Sequence, residues 1–316
     1  MVETEVSAGK PPLHSTAERS ASTPAIRIAT APAVARVVDA LEQASRDAAS
    51  LPPNVEGTAS KIAVLATRHR VVLLPGAVLP AEPAYAPLLQ TLGKHVDAVA
   101  KDLEIYSLDQ PPPDFSLDLE VEGILRAARA RGFDRFHLVG YSGGGASSLA
   151  FAALHGERLL SLALLEPAWA GNRRTQEEEA LMQRFRALEP LPPDQFMTGF
   201  LRLQLAAGVE PPPPPEGPPP PWMAKRPAGV RAFIKAFDNG ELDAEALRAF
   251  DRPVYFALGG RSNPDYYGRM AQRLALIFPD FTLETFAERH HFDPPHRIEP
   301  ERLANSLLAL WRRAEE

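Results

Sequence analysis

The chain has 316 residues, 45 % hydrophobic and 23 % charged, an ordinary globular composition that fits about two domains or one α/β domain with insertions. Its net charge of −6, with no lysine- or arginine-rich stripe interleaved with aromatics, argues against nucleic acid as a partner. Cysteine is absent, which excludes disulfides and thiolate metal sites, and no apolar run of about 18 residues offers a membrane span.

Residues 1–60 read as an N-terminal extension, partly disordered. The first 30 are rich in Ser, Thr, Ala and Pro without a period, and MVETEVSAGKPPLHS has no apolar leader core, so a cytoplasmic location is expected. Val34, Val37, Val38 and Leu41 at helical spacing predict one helix over 32–48. SKIAVLATRH, next in the chain, is too short for a full hairpin. RVVLLPGA (70–77) predicts a buried strand, 85–99 a helix, and LEIYSLD (103–109) a second strand. A helix follows over 117–131, then the strand RFHLVGYS (135–142), a small-residue helix GGGASSLAFAALHG, and the strand LLSLALLEP (159–167). This alternation implies a parallel sheet with helices on both faces.

About 80 residues then interrupt the alternation, so that 61–169 and 251–316 form the core and 170–250 an insertion. Helical patches are predicted over 176–188, 194–207, 228–237 and 243–250. Between them lies EPPPPPEGPPPPW, nine of whose thirteen residues are proline, which favours polyproline II on the surface. Phe185, Phe196, Phe200, Leu201, Leu203, Phe233 and Phe237 are too many apolar residues for a solvated linker, so the insertion is expected to be a helical cap or lid. The core resumes with the strand RPVYFALGG (252–260), a helix over 267–278, the strand FTLETF (281–286) and a final helix over 299–313.

Gly140 to Gly144 read G-Y-S-G-G. A bare G-x-S-x-G is a weak signal, but here a strand precedes it and a helix follows. Small flanks let strand and helix pack closely while Ser142 stands at the apex of a strained turn. The helix start places backbone N–H groups near a developing oxyanion. The competing reading is a glycine-rich anion-binding turn without chemistry.

VVLLPGA, VGYSGGG, LALLEP and RHHFDPPH, in that order, resemble the α/β-hydrolase superfamily over residues 70–313. The resemblance implies an α/β-hydrolase fold: a mostly parallel sheet flanked by helices, with a helical cap inserted after the strand that ends at Glu166. It implies an oxyanion hole from the N–H groups of Gly143 and of Ala77, in the loop after the first core strand. Pro75-Gly76 stands there where the family usually has His-Gly.

A serine needs a neighbouring base at neutral pH, and histidine suits this. The family places that base between the last strand and last helix, where AERHHFDPPHRIEPERL holds His290, His291 and His296. His291-Phe292 fits the family pattern best, with His290 as the alternative. A metal cluster of His290, His291, Asp293 and His296 has neither helical nor hairpin spacing. The family's acid usually follows RPVYFALGG, but Ser262 or Asn263 occupies that position. Some members carry it at the end of the preceding strand, here Glu166; Asp265 is the alternative.

These residues imply hydrolysis of a carboxylic ester, thioester or lactone through an acyl-enzyme, with no metal or organic cofactor. The partner expected is a small apolar ester-type substrate, consistent with Tyr141, Trp169 and Trp222 near the motifs. A hydrolase-like ligand-binding protein with little turnover and an acyltransferase are the alternatives.

Overall fold

A computed structural model of the chain describes residues 68–213 and 217–316. The extension, the helix expected over 32–48 and the segment before the first strand lie outside the described residues. Six parallel strands form the sheet in the order β2-β1-β3-β4-β5-β6. They are β1 (His69–Leu74), β2 (Val96–Ala100), β3 (Phe136–Tyr141), β4 (Leu159–Leu165), β5 (Val254–Gly259) and β6 (Phe281–Phe286).

The near-continuous apolar runs of the central strands follow from burial on both faces. Successive side chains point to opposite sides. Val72, Leu74, Leu138, Leu162, Leu164 and Phe256 therefore belong to one core cluster. Val71, Leu73, Val139, Ala163, Leu165 and Ala257 belong to another. The second face is covered by α1 (Ala81–Leu92), through Tyr85 and Leu88, and by the last helix, α10 (Pro300–Glu315), through Leu303, Leu307 and Trp311. The first face is covered by α2 (Leu117–Ala130), α3 (Gly143–His155) and α8 (Arg269–Ala275).

One strand differs from the sequence expectation. The helix expected to run to Val99 stops at Leu92, where Gly93 takes φ 50° and donates its N–H to Leu89 O. The second strand is Val96–Ala100, an edge strand that is mostly half-buried and so lacks a strong apolar run. The strand-like LEIYSLD instead makes a turn at Glu104–Tyr106. The buried carboxylate of Glu120 accepts the N–H groups of Glu104 and Ile105, each at 3.0 Å, and these bonds replace a strand's ladder.

Between β4 and β5 lie α4 (Gln176–Ala187), α5 (Pro193–Leu203), α6 (Arg226–Asn239) and the short α7 (Ala244–Arg248). A capping box of Thr175 and Glu178 starts α4. Arg186 grips Asp238 through Nε and Nη2 at 3.0 and 2.7 Å, joining α4 to α6. Leu181, Met182, Phe185, Phe196, Phe233 and Phe237 are continuous with the core cluster on the first face. Among the described residues no helix is long and apolar enough to cross a membrane.

Two buried histidines serve the fold. His137 of β3 lies 2.8 Å from Ser161 Oγ and 3.1 Å from Glu315, tying the last turn of α10 to the sheet. His296, in the four-residue α9 (Pro295–Ile298), lies between the rings of Tyr85 and Tyr141, and neither ring nitrogen has a hydrogen-bond partner among the described residues. Burial pushes His137 down to about 4 and His296 to about 3. In the unfolded chain both titrate near pH ~6.5, so below that pH the unfolded state binds more protons. Stability is therefore complete above about pH 6.5 and is lost as pH falls towards 4 and then 3. Calorimetry across this range should show a flat melting temperature above pH ~6.5 and a fall below it. His296→Phe keeps the ring and removes the titration, and should make that fall shallower.

Candidate active site

The loop between β3 and α3 carries Ser142, which is buried at φ 52° and ψ −116°. A left-handed backbone costs a residue with a Cβ roughly 1–2 kcal/mol, so its surroundings have to hold it. Ser142 N–H donates to Leu165 O at 3.1 Å, and Ser142 O accepts from Ala146 N at 3.0 Å and Ala168 N at 2.8 Å. The flanking glycines are needed for close approach. A Cβ at Gly144 would lie 2.5 Å from Pro75 O and 2.6 Å from Leu74 Cβ, and one at Gly140 would collide with Ser148 and the Gly144 carbonyl.

His291 lies in the loop after β6, buried, with Nε2 at 3.0 Å from Ser142 Oγ and Nδ1 at 3.0 Å from Glu166 Oε2. Glu166 follows β4 directly and has φ 46°, and its other carboxylate oxygen accepts Gly259 N–H at 2.8 Å. The hydroxyl of Tyr141 donates to the His291 carbonyl. The Tyr267 ring stacks on the imidazole, with centroids 4.6 Å apart and planes at 13°. Tyr267 OH lies 2.7 Å from Gln204 Oε1 and 3.2 Å from His291 Nε2.

Ser142, His291 and Glu166 are thus brought together; the alternatives are not. Asp265 is exposed and faces Arg269, 3.6 Å away. His290 Nδ1 accepts the N–H groups of Phe292 and Asp293, and burial lowers its pKa. Of the four residues of the metal reading, His291 faces Ser142 and Glu166, His290 and Asp293 bond each other, and His296 has no hydrogen-bond partner among the described residues. Of the two residues at the family's usual acid position, Ser262 is buried with its hydroxyl unpartnered among the described residues, and Asn263 donates its side-chain amide to Leu203 O at 2.8 Å. His69, His137 and Glu315 hold ligand-type atoms within 4.8 Å of one another, but at the opposite, amino-terminal end of the strands. The sequence did not single out Tyr267 or Gln204. Their only signal is position: Tyr267 lies just past the missing acid, and Gln204 is a polar residue after the apolar FLRL.

Ala77 and Gly143 line the cleft beside Ser142, and a Cβ on Gly143 would lie 3.6 Å from Ala77 N. The Ala77 loop is held by Tyr106 OH on Ala77 O at 2.6 Å and by Gly144 N–H on Pro75 O at 3.0 Å. The insertion supplies an apolar wall that includes Met182, Phe185, Phe200, Phe233 and Phe237. The free volume is about 30 Å³, room for a water molecule and not for an acyl chain.

Residues 71–305 match the Alpha/beta hydrolase family, and the chain belongs to that family. No curated protein matches the sequence. Among solved structures it is similar to a bacterial membrane phospholipase A (20 % identity, 89 % of this chain and 99 % of that one, TM-score 0.56). It is also similar to a thermophilic esterase from Thermogutta terrifontis (17 %, 79 % and 92 %, 0.59). A carboxylesterase from the thaumarchaeon Nitrososphaera gargenis is comparable (15 %, 79 % and 92 %, 0.58). At these identities the likeness is one of fold.

Because a Cβ at Gly144 would meet the Pro75 carbonyl at 2.5 Å, Gly144→Ala should destabilise the protein by about 1–3 kcal/mol, the range for overpacking. Urea denaturation of the variant beside Ser147→Ala, on the same helix, checks this.

Proposed function

We propose that the protein is a serine hydrolase that cleaves a carboxylic ester, thioester or lactone through an acyl-enzyme on Ser142. The observation that carries this is the unbroken line Ser142 Oγ–His291–Glu166, with 3.0 Å at each step, ending at a strained elbow. Glu166 holds the proton on Nδ1, which leaves the Nε2 lone pair facing the serine hydroxyl. As Ser142 Oγ attacks the carbonyl carbon, its proton passes to Nε2. Charge gathers on the carbonyl oxygen, where the N–H groups of Gly143 and Ala77 are available, each such donor contributing about 2.7–4 kcal/mol. Nε2 then protonates the leaving group, and water attacks the acyl-serine by the same route.

The names of the esterase and carboxylesterase neighbours support this reading. The apolar cleft supports an apolar acyl or alcohol group. Its small free volume supports a lid role for the insertion, since an acyl chain enters only if α4–α6 shift. The carboxylate of Glu166 beside His291 speaks against a ligand-binding protein with little turnover.

Tyr267 and Gln204 act as positioning residues. The Tyr267 proton has two acceptors within reach, and Gln204 Oε1 is 0.5 Å nearer than His291 Nε2 (3.2 − 2.7 Å). Gln204 thereby keeps the Nε2 lone pair free for Ser142.

Burst kinetics with nitrophenyl esters of graded chain length test the reading. Ser142→Ala should lose the burst and about 10⁶-fold in kcat. Glu166→Gln should lose about 10⁴-fold, and Asp265→Asn should stay within about twofold. Retained turnover in Ser142→Ala would overturn the reading.

In the same assay Gln204→Leu frees the Tyr267 proton to occupy the base. Activity should drop about 5–10-fold, the worth of one hydrogen bond, and the acid limb of kcat/KM should move to lower pH. Tyr267→Phe in the Gln204→Leu background should restore both towards the Tyr267→Phe single variant; additive losses would refute the arrangement.

A further inference from the structure

Arg226, the first residue of α6, is a buried cation. It is 5 % exposed, its guanidinium lies 3.9 Å from the centre of the Tyr106 ring and 5.1 Å from that of Trp222, and its Nε has no hydrogen-bond partner among the described residues. Among the described residues it makes no ion pair. The charges around it are engaged elsewhere. Lys225 pairs with Asp109 at 2.9 Å. Glu104 is held by Lys101 at 2.8 Å and Arg126 at 3.0 Å, and Asp102 accepts Ala81 N–H at 2.7 Å. Nε is buried without a partner among the described residues, while the two Nη groups are not among the buried unpartnered atoms and so have solvent within reach. A fork of N–H donors with no carboxylate against it is open to an oxyanion in place of that water.

The space for one is present. Arg226 lines a cavity of about 510 Å³ with Tyr106, Trp222, Lys225 and the carboxylates of Asp102 and Glu104, whose own partners are those just given, and it is far roomier than the cleft at Ser142. The two cavities share no lining residue, but they share supports. Tyr106, under the guanidinium, bonds Ala77 O in the oxyanion loop. The helix that starts with Arg226 places Val230 and Phe233 in the wall of the cleft. Seven residues separate Arg226 from Phe233, about 10 Å along a helix axis.

We propose that Arg226 forms a subsite for a carboxylate or phosphate group. A planar fork of N–H donors suits either oxyanion. The group is either a free anion, acting through Tyr106 on the Ala77 loop, or a charged end of the ester itself. The subsite goes beyond the hydrolase reading, and only its ester-borne form rests on that reading.

The binding arm needs no turnover. Inorganic phosphate should raise the melting temperature of the wild type and of Ser142→Ala alike. The rise should be lost in Arg226→Met and partly kept in Arg226→Lys. An equal rise in Arg226→Met and wild type, or none in wild type at millimolar phosphate, would overturn the subsite. The kinetic arm separates the sources, using mono-nitrophenyl esters of dicarboxylic acids of four to ten carbons beside neutral esters of equal length. An ester-borne anion predicts a preference for the charged ester, greatest towards the longer chains, and a fall of at least tenfold in that preference in Arg226→Met. A free anion predicts no such preference. Phosphate then changes kcat/KM on the neutral ester in wild type, and this response disappears in Arg226→Met. If Ser142→Ala abolishes turnover while phosphate shifts wild type and Arg226→Met equally, the subsite fails and the hydrolase reading stands. If Ser142→Ala still turns over while the phosphate shift depends on Arg226, the reverse holds.

Discussion

The left-handed backbone of Ser142 is the constraint on which the site depends. A residue with a Cβ adopts φ 52° only where its neighbours leave it no alternative. Here β4 accepts its N–H, while α3 and the segment after β4 donate to its carbonyl, so three elements fix one residue. The glycines at 140 and 144 follow from that geometry, because β3, α3 and the Pro75 turn meet where a Cβ would stand. The same packing brings Ala77 close to Gly143. Strain at the serine and the placing of the two N–H donors thus come from one arrangement of backbone.

A second strained residue sits on the neighbouring strand. Tyr141 pairs with Leu165 in the sheet, so Ser142 and Glu166 stand side by side just past the ends of β3 and β4. Both have positive φ, and they are the only non-glycine residues of that kind among the described residues. The turn at Glu166 lets its carboxylate reach His291 with one oxygen and Gly259 N–H, at the end of β5, with the other. A carboxylate one strand nearer the serine therefore meets the imidazole at Nδ1, while the segment after β5 offers Ser262 and Asn263, neither of them ionisable.

Much of this was legible in the sequence because it is local. The apolar runs of β1, β3, β4 and β5 follow from burial on both faces, and the elbow needs its glycines within five residues. His291 could be read from its family's loop, and Glu166 from its place after an apolar strand, although Asp265 could be set aside only by its exposed position against Arg269. The edge strand VDAVA was not legible, since a half-buried strand of small residues after a helix looks like more helix. LEIYSLD was misleading because its strand-like composition serves a turn held by Glu120, fifteen residues from Ile105. Tyr267 and Gln204 are 63 residues apart in the chain and meet only where the insertion touches the core. Arg226 was hidden for another reason: a basic pair before a proline ordinarily marks a solvated surface, and only packing against Tyr106 and Trp222 reveals its burial.

The way the insertion is fastened bears on how a closed cleft can admit substrate. The end of α5 is stapled to the segment after β5. Asn263 donates its N–H to Gln204 O at 3.0 Å and its side-chain amide to Leu203 O at 2.8 Å, and Ala206 N–H donates to Arg261 O at 3.0 Å. Gln204 therefore stays with the core, and with it the bond that turns the Tyr267 proton away from His291. By contrast, α6 carries Phe233 and Phe237 over the cleft and is joined to α4 by Arg186 on Asp238 and to the α4–α5 connection by Arg231 on Leu191 O at 2.6 Å. α4 in turn is bonded to the core, where Arg273 of α8 meets the buried carboxylate of Glu178 at 2.9 Å, so an opening that leaves the base in register needs α6 to part from α4 or that ion pair to break. Arg226 begins α6, so an anion bound there would sit on the helix that places Val230 and Phe233 in the wall of the cleft.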